Sequence, residues 1–386
     1  MPYWRLSAFY FFYFAALGTL MPYWGLYLQS IGFDAFAIGS LMAIIMATKV
    51  LAPNVWGWLG DHLGHRMLLV RLASLLSLLS LLGMFGASGF VQIALVMAFF
   101  SFFWNASLPQ FEAVVFNYLG SDADRYSRLR LWGSVGFILT VVMVGWLVDR
   151  RGTELVLPAL VVVFGGILFS SLLVADQGGE VQGVQPSILA VLKKTHILAF
   201  FSAVFLMQMS HGPYYAFFSI YLQDHDYSKS DIGLLWSLGV IAEVLLFLFM
   251  HRLLRRWPSA VILLVSLTLA ALRWLLIGWF PDQLPMLVLA QLLHAASFGS
   301  FHASAIHMVH EYFRGRHQGR GQALYASLSF GAGGAVGTFI SGAIWEQWGA
   351  SLAYTMASAT ALLGAWVVWR YIPAGRATAS LPEIRS

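Results

Sequence analysis

Cysteine is absent from all 386 residues, which excludes disulfides, thiolate metal sites and cysteine nucleophiles. Charge is scarce as well. Asp, Glu, Lys and Arg make up 10% of the chain against 59% hydrophobic residues, and the mean hydropathy is +0.75. Such values lie far from those of soluble domains and describe a polytopic membrane protein. The pI near 9.4 is not gathered into one basic patch, so nucleic acid is not an expected partner.

What the chain has in quantity is apolar runs. Spans of about 20 residues fit the bilayer core, and twelve can be placed, the first over 6–28, the seventh over 196–222 and the last over 351–372. The first follows Arg5 but is too long for a removable signal peptide and lacks a small-residue cleavage site, so it is expected to remain as the first helix. Short loops rich in Lys and Arg stay cytoplasmic. With both termini on one face, that face carries sixteen of the 22 basic residues, whereas the other carries Arg150, Arg151 and Lys229. Both termini are therefore expected in the cytoplasm, with the chain in a bacterial inner (plasma) membrane.

One connection, Asp176 to Pro186 followed by Lys193-Lys194, is rich in glycine and polar residues. It divides the chain into an N-terminal six-helix bundle over 1–175, a cytoplasmic linker over 176–195, and a C-terminal six-helix bundle with a short cytoplasmic tail over 196–386. The halves repeat: Tyr27-Leu28-Gln29 with Ile38-Gly39 recurs as Tyr221-Leu222-Gln223 with Ile232-Gly233, at an offset of 194. Halves related in this way, enclosing a midplane site, are one architecture of secondary transporters. The fold class expected is an all-α membrane protein of twelve transmembrane helices in two pseudo-symmetric six-helix bundles.

Buried charge then points to function. Of seventeen acidic residues only Glu112 and Glu243 sit well inside long apolar segments, one in each half. A carboxylate there costs on the order of 3 kcal/mol even on lenient insertion scales and marks a proton or substrate site by default. Lys49 and Arg273 are likewise flanked by apolar residues, and Arg130 lies about a turn inside a segment. The repeat offset carries Lys49 onto Glu243, each about 16 Å along its helix from the Ile-Gly marker and so near mid-membrane. The two are expected to pair across the bundle interface in one conformation.

Between the second and third spans the chain reads Gly57-Trp-Leu59-Gly-Asp61-His-Leu-Gly64-His-Arg66. This resembles the Gly-x-Leu-x-Asp-x-x-Gly-x-Arg loop of the major facilitator superfamily, a likeness that implies gating roles for Asp61 and Arg66. In the second half Tyr214-Tyr215, Gly233-Leu-Leu-Trp236-Ser-Leu-Gly239-Val-Ile-Ala-Glu243, Arg273-Trp274 and Gln291-Leu-Leu-His294 resemble the 3-phenylpropionate permease branch, as does Arg130-Leu-Trp132-Gly133-Ser134 in the first. That branch is similar in turn to the lactose permease group of proton symporters. By resemblance, Glu112 and Arg130 correspond to that group's sugar-holding pair, and Arg273 and His294 to its arginine and histidine on spans nine and ten. The chain has Gln291 and Ser297 one turn before and after His294, where the group has a lysine and a glutamate, so its proton carrier is missing. Glu243 becomes the best carrier, with His294 or Glu112 as alternatives.

The histidines of span ten do not form a metal site by spacing: at 100° per residue, His302, His307 and His310 fall about 80°, 220° and 160° from His294. Aromatics such as Tyr214, Tyr215 and Trp236 belong mostly to interfacial belts, but a few lining the cavity would favour an aromatic ligand by stacking. The glycine run from Gly331 to Gly337 lacks the Lys-Ser of a phosphate loop and suits close helix packing. The expected function is import of a small organic anion, an aromatic carboxylate such as 3-phenylpropionate, by proton symport with alternating access. Arg130, Arg273 or Lys49 would meet the carboxylate. The carrier needs no cofactor, uses a proton gradient as its energy source, and is expected to act as a monomer. A proton-coupled sugar or nucleoside symporter is the alternative, and a non-transporting membrane receptor is an alternative of another class. Neither a catalytic triad nor a zinc motif is present, so no enzymatic activity is expected.

Overall fold

The computed structural model describes residues 1–120, 122, 125–176 and 189–373, and its regular structure is entirely helical. Hydrocarbon offers no water to unpaired backbone groups, and a helix satisfies them within itself. In order run α1 (Tyr3–Ser30), α2 (Ala35–Leu63), α3 (Arg66–Gly86), α4 (Phe90–Leu119), α5 (Tyr126–Arg151) and α6 (Thr153–Leu172). A seventh crossing is built from two pieces, α7a (Thr195–Ser210) and α7b (Gly212–Asp224). Then follow α8 (Lys229–Arg256), α9 (Ser259–Trp279), α10 (Leu284–Tyr312), α11 (Gln318–Trp348) and α12 (Ala350–Tyr371). Eleven of the twelve are single stretches long and apolar enough to cross a bilayer. Most of the linker expected over 176–195, and the tail beyond Pro373, lie outside the described residues.

Two features depart from straight α-helices. The seventh span, expected to be continuous over 196–222, breaks at His211, because Pro213 has no N–H to continue the ladder and can sit only in the first turn of a new helix. Two π segments, Ala295–Gly299 in α10 and Ser327–Gly333 in α11, widen those helices where each passes the centre of the molecule.

α1 packs on α5 and α6, and α4 on α2 and α3, forming the first bundle; α12 packs on α7a and α9, and α10 on α9, within the second. The bundles meet along α2 with α11, α5 with α8, and α1 with α7b. Glycine makes the approach possible. A Cβ on Gly39 would lie 2.7 Å from the Cα of Gly342, and one on Gly233 would lie 2.7 Å from the carbonyl oxygen of Val141. The repeat of Ile38-Gly39 as Ile232-Gly233 therefore has a physical cause, since each glycine admits the partner bundle's backbone.

The polar contacts between bundles repeat in the same manner. Glu346 at the end of α11 accepts from the Ala35 N–H at the start of α2 (2.9 Å), and Asp149 at the end of α5 accepts from the N–H groups of Lys229 and Ser230 at the start of α8 (2.7 and 2.8 Å). Each carboxylate completes orphan donors at the positive end of a helix from the other bundle. Beside them the Gln223 side chain donates to Gln29, its equivalent in the repeat, at 3.4 Å. All these contacts lie on the face opposite the N-terminus, and the molecule is closed there. Further toward the N-terminal face the bundles are bridged by Asn54 Nδ2 donating to Ser327 Oγ at 3.5 Å.

The absence of native cysteine gives a direct test. A Gln29→Cys, Gln223→Cys pair is expected to cross-link readily with a short bifunctional thiol reagent. Adding Gly39→Val or Gly233→Val should sharply lower the yield by forcing the bundles apart on that face, and an unchanged yield would show that the glycines do not set the approach.

Candidate functional site

Near the middle of α8, Glu243 faces α10, where His294 Nε2 lies 3.3 Å from Glu243 Oε2. The side chains are 18% and 8% exposed, so the pair is held almost out of solvent. Small residues permit the contact: a Cβ on Gly299, the last residue of the α10 π segment, would stand 3.1 Å from Glu243 Cγ. The other ionisable basic groups near enough to act on this carboxylate are His302 and Arg273 in the same bundle and Arg130 in the other.

Arg273 is the most constrained of these groups, being fully buried on α9. Its Nε donates to the Ala290 carbonyl at 3.0 Å, but Nη1 and Nη2 have no hydrogen-bond partner. The guanidinium instead lies 4.2 Å over the ring of Tyr214 and 4.6 Å over that of Trp274. A desolvated cation–π contact contributes about 2 kcal/mol, less than a buried charge loses on leaving water, so the open arms call for water or an anion. Gln291 accepts from the Tyr214 hydroxyl at 3.0 Å and leaves its own amide nitrogen unpartnered, as are His211 Nε2, both polar atoms of the Gln208 amide and the Tyr354 hydroxyl. The C-terminal bundle thus gathers buried, unmet polar groups among aromatic rings.

His211 occupies the break between α7a and α7b, its ring centroid 4.7 Å from Trp274. Interrupted helices of this kind line substrate sites in transporters. Neither His211, Gln208 nor Tyr354 was singled out by sequence reasoning, although Gly212-Pro213 in mid-span was the available signal. His302 is a further surprise. The rings of His294, Phe298 and His302 stack in a column, with centroids 5.0 and 6.4 Å apart and planes within 9° and 7°, and His302 Nδ1 meets the Tyr325 hydroxyl at 3.0 Å. An unbroken α-helix would turn His302 about 80° away from His294, but the π turn between them takes up more residues per revolution and cancels that drift.

The remaining expected residues are placed as follows. Glu112 and Arg130 do not form an ion pair. Tyr126, one turn before Arg130 on α5, reaches the carboxylate first and donates to Glu112 Oε1 at 2.7 Å, while the Arg130 guanidinium lies 3.7 Å over the Phe14 ring. Lys49 is not paired with Glu243 in this conformation: its Nζ contacts the Met46 sulfur at 3.5 Å, and the partner of Glu243 is His294. Trp236 packs 4.5 Å from the Tyr214 ring and donates to Ser219 at 3.0 Å, and the Tyr215 ring lies 5.5 Å from that of His211. Asp61 and Arg66 join each other at 2.6 Å, with Arg66 also donating to Gln110 of α4 at 3.0 Å. Gly64, with φ of +69°, makes the left-handed turn that lets the loop fold back. Among the described residues no cluster of three or more His, Asp or Glu is placed to hold a metal ion.

The two-bundle fold, the midplane charges and the interrupted helix define a membrane transporter and not an enzyme, and comparison with known proteins agrees. Residues 3–356 match the model of the MFS_1 like family, and the chain belongs to that family. It is 29% identical over 359 residues to a probable 3-phenylpropionic acid transporter of Escherichia coli (strain K12), covering 90% of this chain and 92% of that protein. It is 25% identical to the maltose permease of Geobacillus stearothermophilus, over 93% of this chain and 92% of the permease. Among solved structures it resembles the nucleoside transporter NupG (D323A mutant), with a TM-score of 0.85 at 18% identity over 95% of this chain and 98% of the other.

The geometry makes a prediction about coupling. In a stability cycle, Glu243→Gln and His294→Gln should show a coupling energy of about 0.5–3 kcal/mol, whereas Glu243→Gln and Lys49→Met should be nearly additive while the face opposite the N-terminus is closed. Thermal or denaturant unfolding of the four variants and the unmodified protein measures both, and a larger Lys49 coupling would make Lys49 the primary partner.

Proposed function

We propose that this protein is a secondary active transporter that imports a small organic anion, an aromatic carboxylate, together with protons. The observation that carries the proposal is the fully buried Arg273, whose two terminal nitrogens are unpartnered between the rings of Tyr214 and Trp274. A carboxylate would supply the missing hydrogen-bond acceptors, and an aromatic body would stack on the surrounding rings. The printed name of the Escherichia coli relative supports the same substrate class.

Glu243 is the proposed proton carrier. A substrate anion on Arg273 would bring a second negative charge near Glu243, and two neighbouring negative charges favour protonation of one of them, so that anion and proton would be taken up together. His294, in contact with Glu243, would pass or share the proton, and Glu112, held by Tyr126, becomes a secondary candidate. Lys49 and Arg130 would attract the anion from the N-terminal bundle, and Asp61 and Arg66 would hold the hinge loop as the bundles rock. In this reading the chain acts as a monomer in a bacterial inner membrane, with its termini in the cytoplasm and the closed face outward. A proton gradient drives uptake. Sugar or nucleoside transport receives less support, because the Glu112 and Arg130 pair on which that reading relied is not formed.

Two measurements in proteoliposomes test this. Glu243→Gln is expected to abolish uptake driven by an imposed proton gradient while preserving substrate exchange, since glutamine imitates the protonated acid and cannot cycle; intact coupling would remove Glu243 from the role. Arg273→Gln should weaken binding of 3-phenylpropionate by about 1.5–3 kcal/mol, the loss expected for a hydrogen bond to a charged group, and leave the corresponding amide almost unaffected. Equal losses for acid and amide would make Arg273 structural.

A further inference from the structure

Along α10, Glu243 stands between two histidines. Gly299 is the residue of α10 that comes against its side chain, where an added Cβ would lie 3.1 Å from Glu243 Cγ. His294 precedes that glycine in the chain and His302 follows it. Because α10 runs toward the N-terminal face, His294 is on the closed side of Glu243 and His302 on the other. The π turn keeps both imidazoles in one column with the Phe298 ring, at centroid steps of 5.0 and 6.4 Å.

His302 is held as a polar group and not as core filling. Its Nδ1 meets the Tyr325 hydroxyl of α11 at 3.0 Å, and the Phe330 ring lies 5.8 Å from its own. Glu243 and His302 are near enough for the charge of each to act on the other, and Arg130 of the N-terminal bundle is near enough to act on both. His302 therefore lies toward the bundle interface. It is half-buried, whereas His294 is buried. Tyr325 sits in the first part of α11, which begins at Gln318 on the N-terminal face. When an imidazole donates Nδ1–H to a hydroxyl oxygen, Nε2 keeps the lone pair that can receive a proton. A glutamate can turn its carboxyl about a fixed Cα through its staggered rotamers.

We propose that His302 is the exit step for the proton: the Glu243 carboxyl, protonated beside His294, turns toward His302 and yields its proton to the imidazole. The O–H bond breaks as the N–H bond forms, leaving Glu243 ionised and His302 as imidazolium. The imidazolium returns to the neutral ring by releasing the proton to water on the N-terminal side. Tyr325 is a positioning residue that fixes the ring and its tautomer. The step rests on Glu243 being the proton carrier, and it gives the two histidines opposite ends of one transfer, His294 at loading and His302 at release.

Full-length protein in proteoliposomes tests it, by comparing 3-phenylpropionate uptake driven by an imposed proton gradient with exchange of labelled for unlabelled substrate, which needs no proton release. His302→Asn keeps an amide near the place of Nδ1 for Tyr325 but cannot take up a proton. It is expected to slow driven uptake on the order of a hundredfold while exchange persists. Driven uptake in that variant should also slow more in deuterium oxide than it does in the unmodified protein, because proton release then limits the rate. Tyr325→Phe keeps the ring and should show the same pattern with a smaller loss. Melting temperatures show whether each variant is folded, and His302→Gln takes the place of His302→Asn where the latter is not. Unimpaired driven uptake in a folded His302 variant would overturn the proposal. Equal losses of uptake and exchange would do the same, making His302 structural. Glu243→Gln separates the two failures: coupled uptake retained there removes the carrier and this step with it, whereas coupling lost there but unimpaired in His302→Asn removes only the step through His302.

Discussion

A charged group inside a helical bundle in hydrocarbon has only the protein to answer it, and the arrangement of the C-terminal bundle follows from that requirement. Glu243 is met by His294 because Gly299 lets α8 and α10 close on each other. The π segment ending at that glycine also turns Phe298 and His302 into register with His294, so that a continuous stack of rings rises from the pair. Arg273 is answered only in part. One nitrogen is bonded and the aromatic faces of Tyr214 and Trp274 cover the rest, an arrangement that keeps a cation in place without neutralising it. A carboxylate at that position would have formed a closed salt bridge with little left to offer a ligand.

The bundle interface obeys a second constraint, which the pseudo-symmetry serves twice. Helix N-termini that end against another bundle carry unsatisfied N–H groups, and Asp149 and Glu346 supply acceptors from the far side of the interface. Ala35 and Lys229, the residues so capped, are related by the same offset as Gly39 and Gly233. Such latches combine a few hydrogen bonds at the solvent boundary with backbone contacts that glycine permits. Each latch is therefore one compact unit of the closed face.

Much of this was legible in the sequence. Hydropathy located the spans because membrane insertion demands it, and the loop from Gly57 to Arg66 carried its own turn chemistry in Gly64. The repeat was visible because glycine at 39 and 233 is required by contact, not by local conformation. Spacing failed where the outcome depended on competition between side chains. Glu112 and Arg130 stand on neighbouring helices as expected, yet Tyr126 takes the carboxylate because its hydroxyl arrives a turn earlier. Lys49 and Glu243 are equivalent by repeat, but equivalence fixes which bundle and which helix, not which partner is closest in a given conformation. The π turns were unreadable for another reason: helix periodicity is inferred by assuming 3.6 residues per turn, and a single wider turn leaves the apolar pattern on either side intact.

The balance of charge around the centre bears on what can be carried. Glu112 is held by a tyrosine hydroxyl and Glu243 by a histidine, while Arg130 and Arg273 rest on aromatic faces and Lys49 on a thioether, each without a carboxylate within ion-pair distance among the described residues. Three cations thus face a region where only two acids are present, and both acids are already engaged. A neutral sugar entering such a region would leave the excess positive charge uncompensated and lose hydration without gaining a charged partner. An organic anion would remove that excess, and an aromatic portion would stack on the surrounding rings, which is the basis of the substrate class proposed.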